Sequence, residues 1–238
     1  MRLRNLIRGD IGFQITYGFY FVYAVFTVFY LCLIFALPES IRQIIAAIMI
    51  YTDPAAMGLF FMGAIVLLEK SQNVLNSIAV TPVKVSEYII SKAVSLGIIG
   101  TLVGSLIRIA VGFGENHRDF YADAFRIAYT MTGIFLGSVM FSLLGLIVAV
   151  KTNSLNQFMV GTIPIELICS VPPFIYLFGY RKPWMLLHPG CVIIRMVEGK
   201  SGVEPILLLL LLPWVAGIYL LTNNAVKKMF QSVGGFKL

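Results

Sequence analysis

The stretch that decides the fold is residues 127–150, IAYTMTGIFLGSVMFSLLGLIVAV, which contains no Asp, Glu, Lys or Arg. At ~1.5 Å rise per residue a helix of this length runs about 36 Å. The hydrocarbon core of a bilayer is about 30 Å thick. Working outward, residues 16–37 form a second charge-free run of spanning length, closed by Pro38 and Glu39. Across all 238 residues, 59% are hydrophobic and 12% are charged, about half the charge of a soluble domain. Mean hydropathy is +0.90. A soluble globule of this size lacks the polar surface to cover so much apolar material. The composition excludes a soluble enzyme, a disordered tail and a coiled coil, and predicts an all-α membrane protein.

Charges punctuate the remaining spans. Asp53-Pro54 reads as a helix start, with Asp at the N-cap and Pro at the first helical position. The second span is therefore expected at residues 54–68, continuing inward, with residues 44–51 too short to cross by themselves. A third span is expected from about Ser86 to Gly112. The fourth is residues 127–150, the fifth residues 158–179 with Pro164 and Pro172-Pro173, and the sixth residues 205–223 with its leucine run. Residues 180–204, containing His188-Pro189, Arg195 and Glu198, are expected as a broken or re-entrant segment before the last span. Ahead of the first span, Leu3, Ile7 and Ile11 share a helix face while Arg2, Arg4 and Arg8 are basic. This fits either an amphipathic interfacial helix or a plain basic flank. No repeat or linker divides the chain, so residues 1–238 read as one transmembrane domain.

The net charge of +7 reads as basic flanks against anionic lipid, with no nucleic-acid partner. Ten of the 18 Lys and Arg fall on the side of the termini, which favours both termini in the cytoplasm of a multi-pass cell-membrane protein. The three cysteines, Cys32, Cys169 and Cys191, imply neither a disulfide framework nor a metal site. There is no G-x-x-x-x-G-K, H-E-x-x-H or G-x-S-x-G, and His117 and His188 lie far apart. No catalytic residue, metal or cofactor is expected in this chain.

The most polar stretch between spans is residues 69–92, EKSQNVLNSIAVTPVKVSEYIISK. Val74, Ile78 and Ala79 recur at helical spacing, and Thr81-Pro82 ends that helix. With Glu69, Thr81-Pro82, Glu87-Tyr88-Ile89 and Lys92, the stretch resembles the permease subunits of type-2 ATP-binding-cassette exporters. Within them it is similar to bacterial drug-export permeases, including fluoroquinolone exporters. The six-span layout, the proline-containing fifth span and the broken segment before the sixth resemble that family as well. The resemblance implies a multidrug-efflux permease, not itself an enzyme, that moves an amphipathic or drug-like substrate out of the cell. It implies a cytoplasmic coupling helix between spans two and three that docks on a separate ATPase subunit. It further implies a second permease chain, identical or sister, making a dimer, with ATP and magnesium held by the ATPase. The expected ATPase contacts are Glu69, Gln72, Asn73, Asn76, Ser77, Thr81 and Pro82. A short helix with a neutral polar face suits a protein interface, whereas a lipid-bound surface helix would be expected to be more basic.

Glu166 is the one charge between Lys151 and Arg181. It reads either as a pathway residue for cationic or zwitterionic substrates or protons, or as a structural carboxyl steadying the Pro164 kink. Phe60 and Phe61 are candidate pathway residues for flat hydrophobic substrates, with ordinary packing or lipid contact as the commoner role. Gly97, Gly100 and Gly104 in the third span, and Gly133, Gly137 and Gly145 in the fourth, are expected to let helices approach closely. Two other functions stand against the exporter: a stand-alone proton-coupled transporter using Glu166, and a membrane scaffold subunit without a substrate.

Overall fold

A computed structural model of the chain describes residues 2–79, 81–112, 120–198 and 203–234. The described residues form α-helices and one short 3-10 helix. Six helices are long and apolar enough to span: α2 (Phe19–Ala36), α3 (Glu39–Ser71), α5 (Val85–Gly112), α6 (Phe120–Lys151), α7 (Leu155–Leu177) and α9 (Pro205–Gly234). The protein is an all-α, multi-pass membrane protein. A helix before the first span, α1 (Arg2–Thr16), joins α2 through Gly18, whose φ of 77° suits a residue without a Cβ. Short helices α4 (Val74–Ala79) and α8 (Pro189–Glu198) lie between spans two and three and between spans five and six.

The second span differs from its sequence expectation. Helix α3 runs unbroken for 33 residues, so residues 44–51 are its first half and Asp53 and Pro54 lie inside it. Proline removes one backbone donor, and a membrane helix tolerates that loss where neighbouring groups compensate. The apolar runs on both sides carry the helix through.

Helices α3, α5 and α6 form the centre. In α6, 67% of the spanning window is buried, against 17% in α2 and in α7 and 22% in α9. The glycines make this centre dense. A Cβ on Gly104 would lie 2.9 Å from Ile134, and one on Gly97 2.9 Å from Phe135. At Gly145 the α6 backbone meets the Leu59 carbonyl of α3 with no room for a Cβ. Gly133 and Gly137 face Met196 and Ile193 of α8.

That last contact shows where α8 lies. After α7 the chain turns at Gly179, and the 3-10 helix Pro183–Leu187 leads back to His188, which reaches the Ile168 carbonyl at 3.2 Å. Trp214 of α9 donates to the Leu187 carbonyl at 2.9 Å. Helix α8 then returns with all but Arg195 and Glu198 buried. The segment before the last span is thus a re-entrant hairpin, as its sequence predicts.

Candidate functional site

The polar residues of the 69–92 segment fall into two sets, one bare and one buried. Gln72 ends α3, and Asn73 follows with φ 57°, a left-handed conformation that Asn tolerates better than most residues. The turn delivers α4 with Leu75 buried and Val74 and Ile78 half-buried, while Asn76 and Ser77 face outward. Thr81 closes the helix by donating to the Ile78 carbonyl at 2.7 Å. Gln72, Asn73, Asn76, Ser77, Thr81 and Pro82 form an exposed, uncharged polar surface. Helix α5 then starts with the Glu87 carboxylate accepting from the Lys84 amide at 2.9 Å, the reach-back of a capping box.

Glu69, also expected as an ATPase contact, does not belong to that exposed set. It is 5% exposed, and its Oε1 lies 2.5 Å from Lys92 Nζ. Tyr88 donates to Glu69 Oε2 at 2.8 Å. The same Lys92 reaches Asp10 Oδ1 of α1 at 3.0 Å, and Ser91 donates to Asp10 Oδ2 at 2.6 Å. Gln14, one turn after Asp10, donates to Ser95 at 2.8 Å. Spacing explains the cluster: Tyr88, Ser91, Lys92 and Ser95 lie on one face of α5, and Asp10 and Gln14 on one face of α1. Two carboxylates thus share one buried ammonium, with hydroxyl donors on their remaining oxygens. Removing water from such charges costs several kcal/mol each, so the group holds together only while it is complete.

Other bonds tie the same parts. Arg2 of α1 donates to the Pro82 carbonyl at 3.3 Å. Tyr17 and Gln72 exchange hydrogen bonds at 2.9 and 3.1 Å. Lys70 donates to the carbonyls of Ala149, Val150 and Thr152 at 2.8, 3.0 and 2.7 Å. It thereby satisfies acceptors that the end of α6 leaves open and places a cation at the negative end of that helix. These bonds tie α1, α3, α5 and α6 together at the α4 end. Asp10 was not singled out from the sequence. Its signal was being the only acidic residue in the basic first segment.

The expected pathway residues are not gathered in one place. Phe60 packs edge-on to Phe158 at 6.4 Å, and Phe61 does so against Phe19 and Tyr23 at 4.8 and 5.0 Å. Both fill helix seams. Glu166 sits half-buried on α7, flanked by exposed Ile163 and Leu167. His117 lies outside the described residues.

At the far end, α7 carries Pro172 and Pro173, which cannot donate to the carbonyls four residues earlier, Ile168 and Cys169. His188 meets the first at 3.2 Å and the Tyr51 hydroxyl the second at 2.7 Å. The Gly190 amide donates to His188 Nδ1 at 3.2 Å, so Nε2 carries the proton and donates to Ile168. Arg181–Glu198 (2.6 Å) and Arg195–Glu204 (2.8 Å) close the hairpin. They flank an open cavity of about 300 Å³ bordered by Tyr176 and Lys182. Among the described residues, no three His, Cys, Asp or Glu are placed to hold a metal ion.

Comparison with known proteins agrees with the resemblance carried by residues 69–92. The family model described as "Fluoroquinolones export permease protein family" matches residues 1–224. Two curated relatives, both named fluoroquinolones export permease protein, come from Mycobacterium tuberculosis strains CDC 1551 / Oshkosh and ATCC 25618 / H37Rv. Each is 24% identical over 198 residues, covering 78% of this chain and 79% of the relative.

Proposed function

The chain belongs to the fluoroquinolones export permease protein family, and from that premise we propose that it is the membrane subunit of an ATP-binding-cassette exporter. The observation that carries this reading is α4: apolar side docked, neutral polar side bare, and its flanks fixed to three helices by the Asp10–Lys92–Glu69 group. A separate ATPase subunit docks on Gln72, Asn73, Asn76, Ser77, Thr81 and Pro82, and binds ATP and magnesium. Closure of the ATPase pushes α4, and the buried charges pass the push to the spans. The α4 end and both termini face the cytoplasm.

The substrate is an amphipathic, drug-like molecule, in keeping with the names of the relatives. The working unit contains a second permease chain, identical or sister. Its support is Glu166, a carboxylate on a span of which only 17% is buried by this chain. A charge left facing lipid there is costly, and a second chain along α7 relieves it.

The test is a pull-down of the tagged chain from its own host in gentle detergent, with mass spectrometry of the proteins retained. A stoichiometric ATPase is expected. Asn76→Arg combined with Ser77→Arg should lose the ATPase while the chain stays monodisperse. A wild-type preparation without any ATPase would overturn the reading in favour of a proton-coupled transporter.

A further inference from the structure

Asp53 is the least explained charge in the fold. It is 2% exposed, and the Tyr30 hydroxyl reaches its carboxylate without forming a well-aligned hydrogen bond to either oxygen. It lies 14 residues into the 33-residue α3, about 21 Å from the start of the helix at ~1.5 Å per residue. That position is close to the midpoint of the helix. An ionised carboxylate there lacks the partners that offset desolvation, and a protonated one still leaves polar atoms unpaired. One neutral hydroxyl leaves a buried carboxylate short of partners, so the position has capacity for a cation.

What surrounds Asp53 identifies the partner's chemistry. On α2 the Tyr30 hydroxyl reaches the Asp53 carboxylate, and buried Tyr23 stands two turns earlier on the same side of that helix. Two turns along α3, Phe61 packs edge-on to Tyr23 at 5.0 Å. The seam between α2 and α3 thus presents one carboxylate and several aromatic rings. A carboxylate only accepts, and ring faces are negative, so both favour a cation. A hard metal ion would need several more oxygen ligands, and among the described residues no group of three or more His, Cys, Asp or Glu could hold one. An organic ammonium on an aromatic body matches the seam.

We propose that Asp53, with the rings of Tyr23 and Tyr30, is the site that takes the protonated amine of a cationic or zwitterionic aromatic substrate. This rests on the reading of the chain as a drug-export permease and names the substrate feature it selects. Helix α2 is suited to admit such a molecule, because it is joined to α1 at the left-handed Gly18 and only 17% of it is buried.

The experiment measures binding to the full chain in lipid nanodiscs by probe fluorescence. One probe is a fluoroquinolone with a free piperazine amine, and the other is its N-acetyl derivative, which keeps the aromatic body and loses the cation. Wild-type protein is expected to bind the free amine at least ~10-fold more tightly, equivalent to about 1.4 kcal/mol. Asp53→Asn should bring that ratio to about one and leave binding of the N-acetyl probe unchanged. Tyr30→Phe should reduce the ratio partially. Without probe, Asp53→Asn should melt at or above the wild-type temperature, since it removes a buried charge whose neighbour is a neutral hydroxyl.

Retained discrimination in Asp53→Asn, or no discrimination in the wild type, would overturn the proposal. So would a large loss of stability in Asp53→Asn, which would make the carboxylate structural. Failure of both probes to bind while an ATPase co-purifies would overturn this site and leave the exporter reading standing.

Discussion

The two ends of the helix bundle are held by opposite chemistry. At the α4 end, full charges are buried: Lys92 stands between Asp10 and Glu69, and Lys70 caps α6. At the α8 end, Tyr51 and His188 make neutral contacts to carbonyls that prolines leave open, and the ion pairs are more exposed than those at the α4 end. A buried charge group tolerates little displacement, because separating its members strands a charge in low dielectric. Neutral hydrogen bonds contribute about 0.5–1.5 kcal/mol each and re-form at modest cost. Surface ion pairs add roughly 0–1 kcal/mol. On the proposed exporter reading, the α4 end is suited to transmit force and the α8 end to rearrange.

The strongest way to break this contrast is Lys92→Met. It strands two carboxylates, and loss of one partner from a buried group costs about 3–5 kcal/mol. The expected outcome is a sharp drop in melting temperature and in folded yield. Glu69→Gln should be much milder, because the amide oxygen still accepts from Lys92 and the amide nitrogen can donate to the Tyr88 hydroxyl in place of the bond that hydroxyl now makes. Thermal unfolding followed by size-exclusion chromatography checks both, and a Lys92→Met protein as stable as the wild type would remove the charge group from the account.

How far the sequence foresaw this contrast follows from the range of each interaction. Span number, the helix before the first span, the re-entrant segment and the close packing at Gly97, Gly104, Gly133, Gly137 and Gly145 all rest on local pattern, and the structure agrees with each. Asp53-Pro54 misled because the same dipeptide that starts a helix in water can sit within one in a bilayer. There the surrounding apolar residues have no alternative to a hydrogen-bonded helix. The coupling segment was recognisable as a segment, but Glu69 could not be told from its exposed neighbours. Its burial depends on Lys92, 23 residues later, and the shared partner Asp10 is 82 residues from Lys92. No periodicity within one helix encodes those distances. Phe60 and Phe61 looked alike on one strip of sequence, yet they fill different seams because they point to different helices.

The α8 end offers an intermediate test. Tyr51→Phe leaves the Cys169 carbonyl without a donor, and an unsatisfied buried group costs about 1–3 kcal/mol. The loss should shrink in a Pro173→Ala background, because residue 173 then regains the amide that bonds Cys169 within α7. A double-mutant cycle of melting temperatures reads this coupling directly. Equal losses in both backgrounds would mean that the tyrosine acts through packing, consistent with its ring lying 5.9 Å from Phe141, and that the proline-freed carbonyl is irrelevant.

The smallest effect is expected at Glu166. The side chain is half-buried, and among the described residues no ion pair engages it. Glu166→Gln should therefore change the melting temperature of the isolated chain little, by the equivalent of about 0.5 kcal/mol or less. Its effect should appear where a second chain covers α7, as a shift in the monomer–dimer balance measured by native mass spectrometry from nanodiscs. A variant that melts far below the wild type as an isolated chain would place Glu166 with the buried charges of the α4 end. The contrast between the two ends would then have to extend along α7.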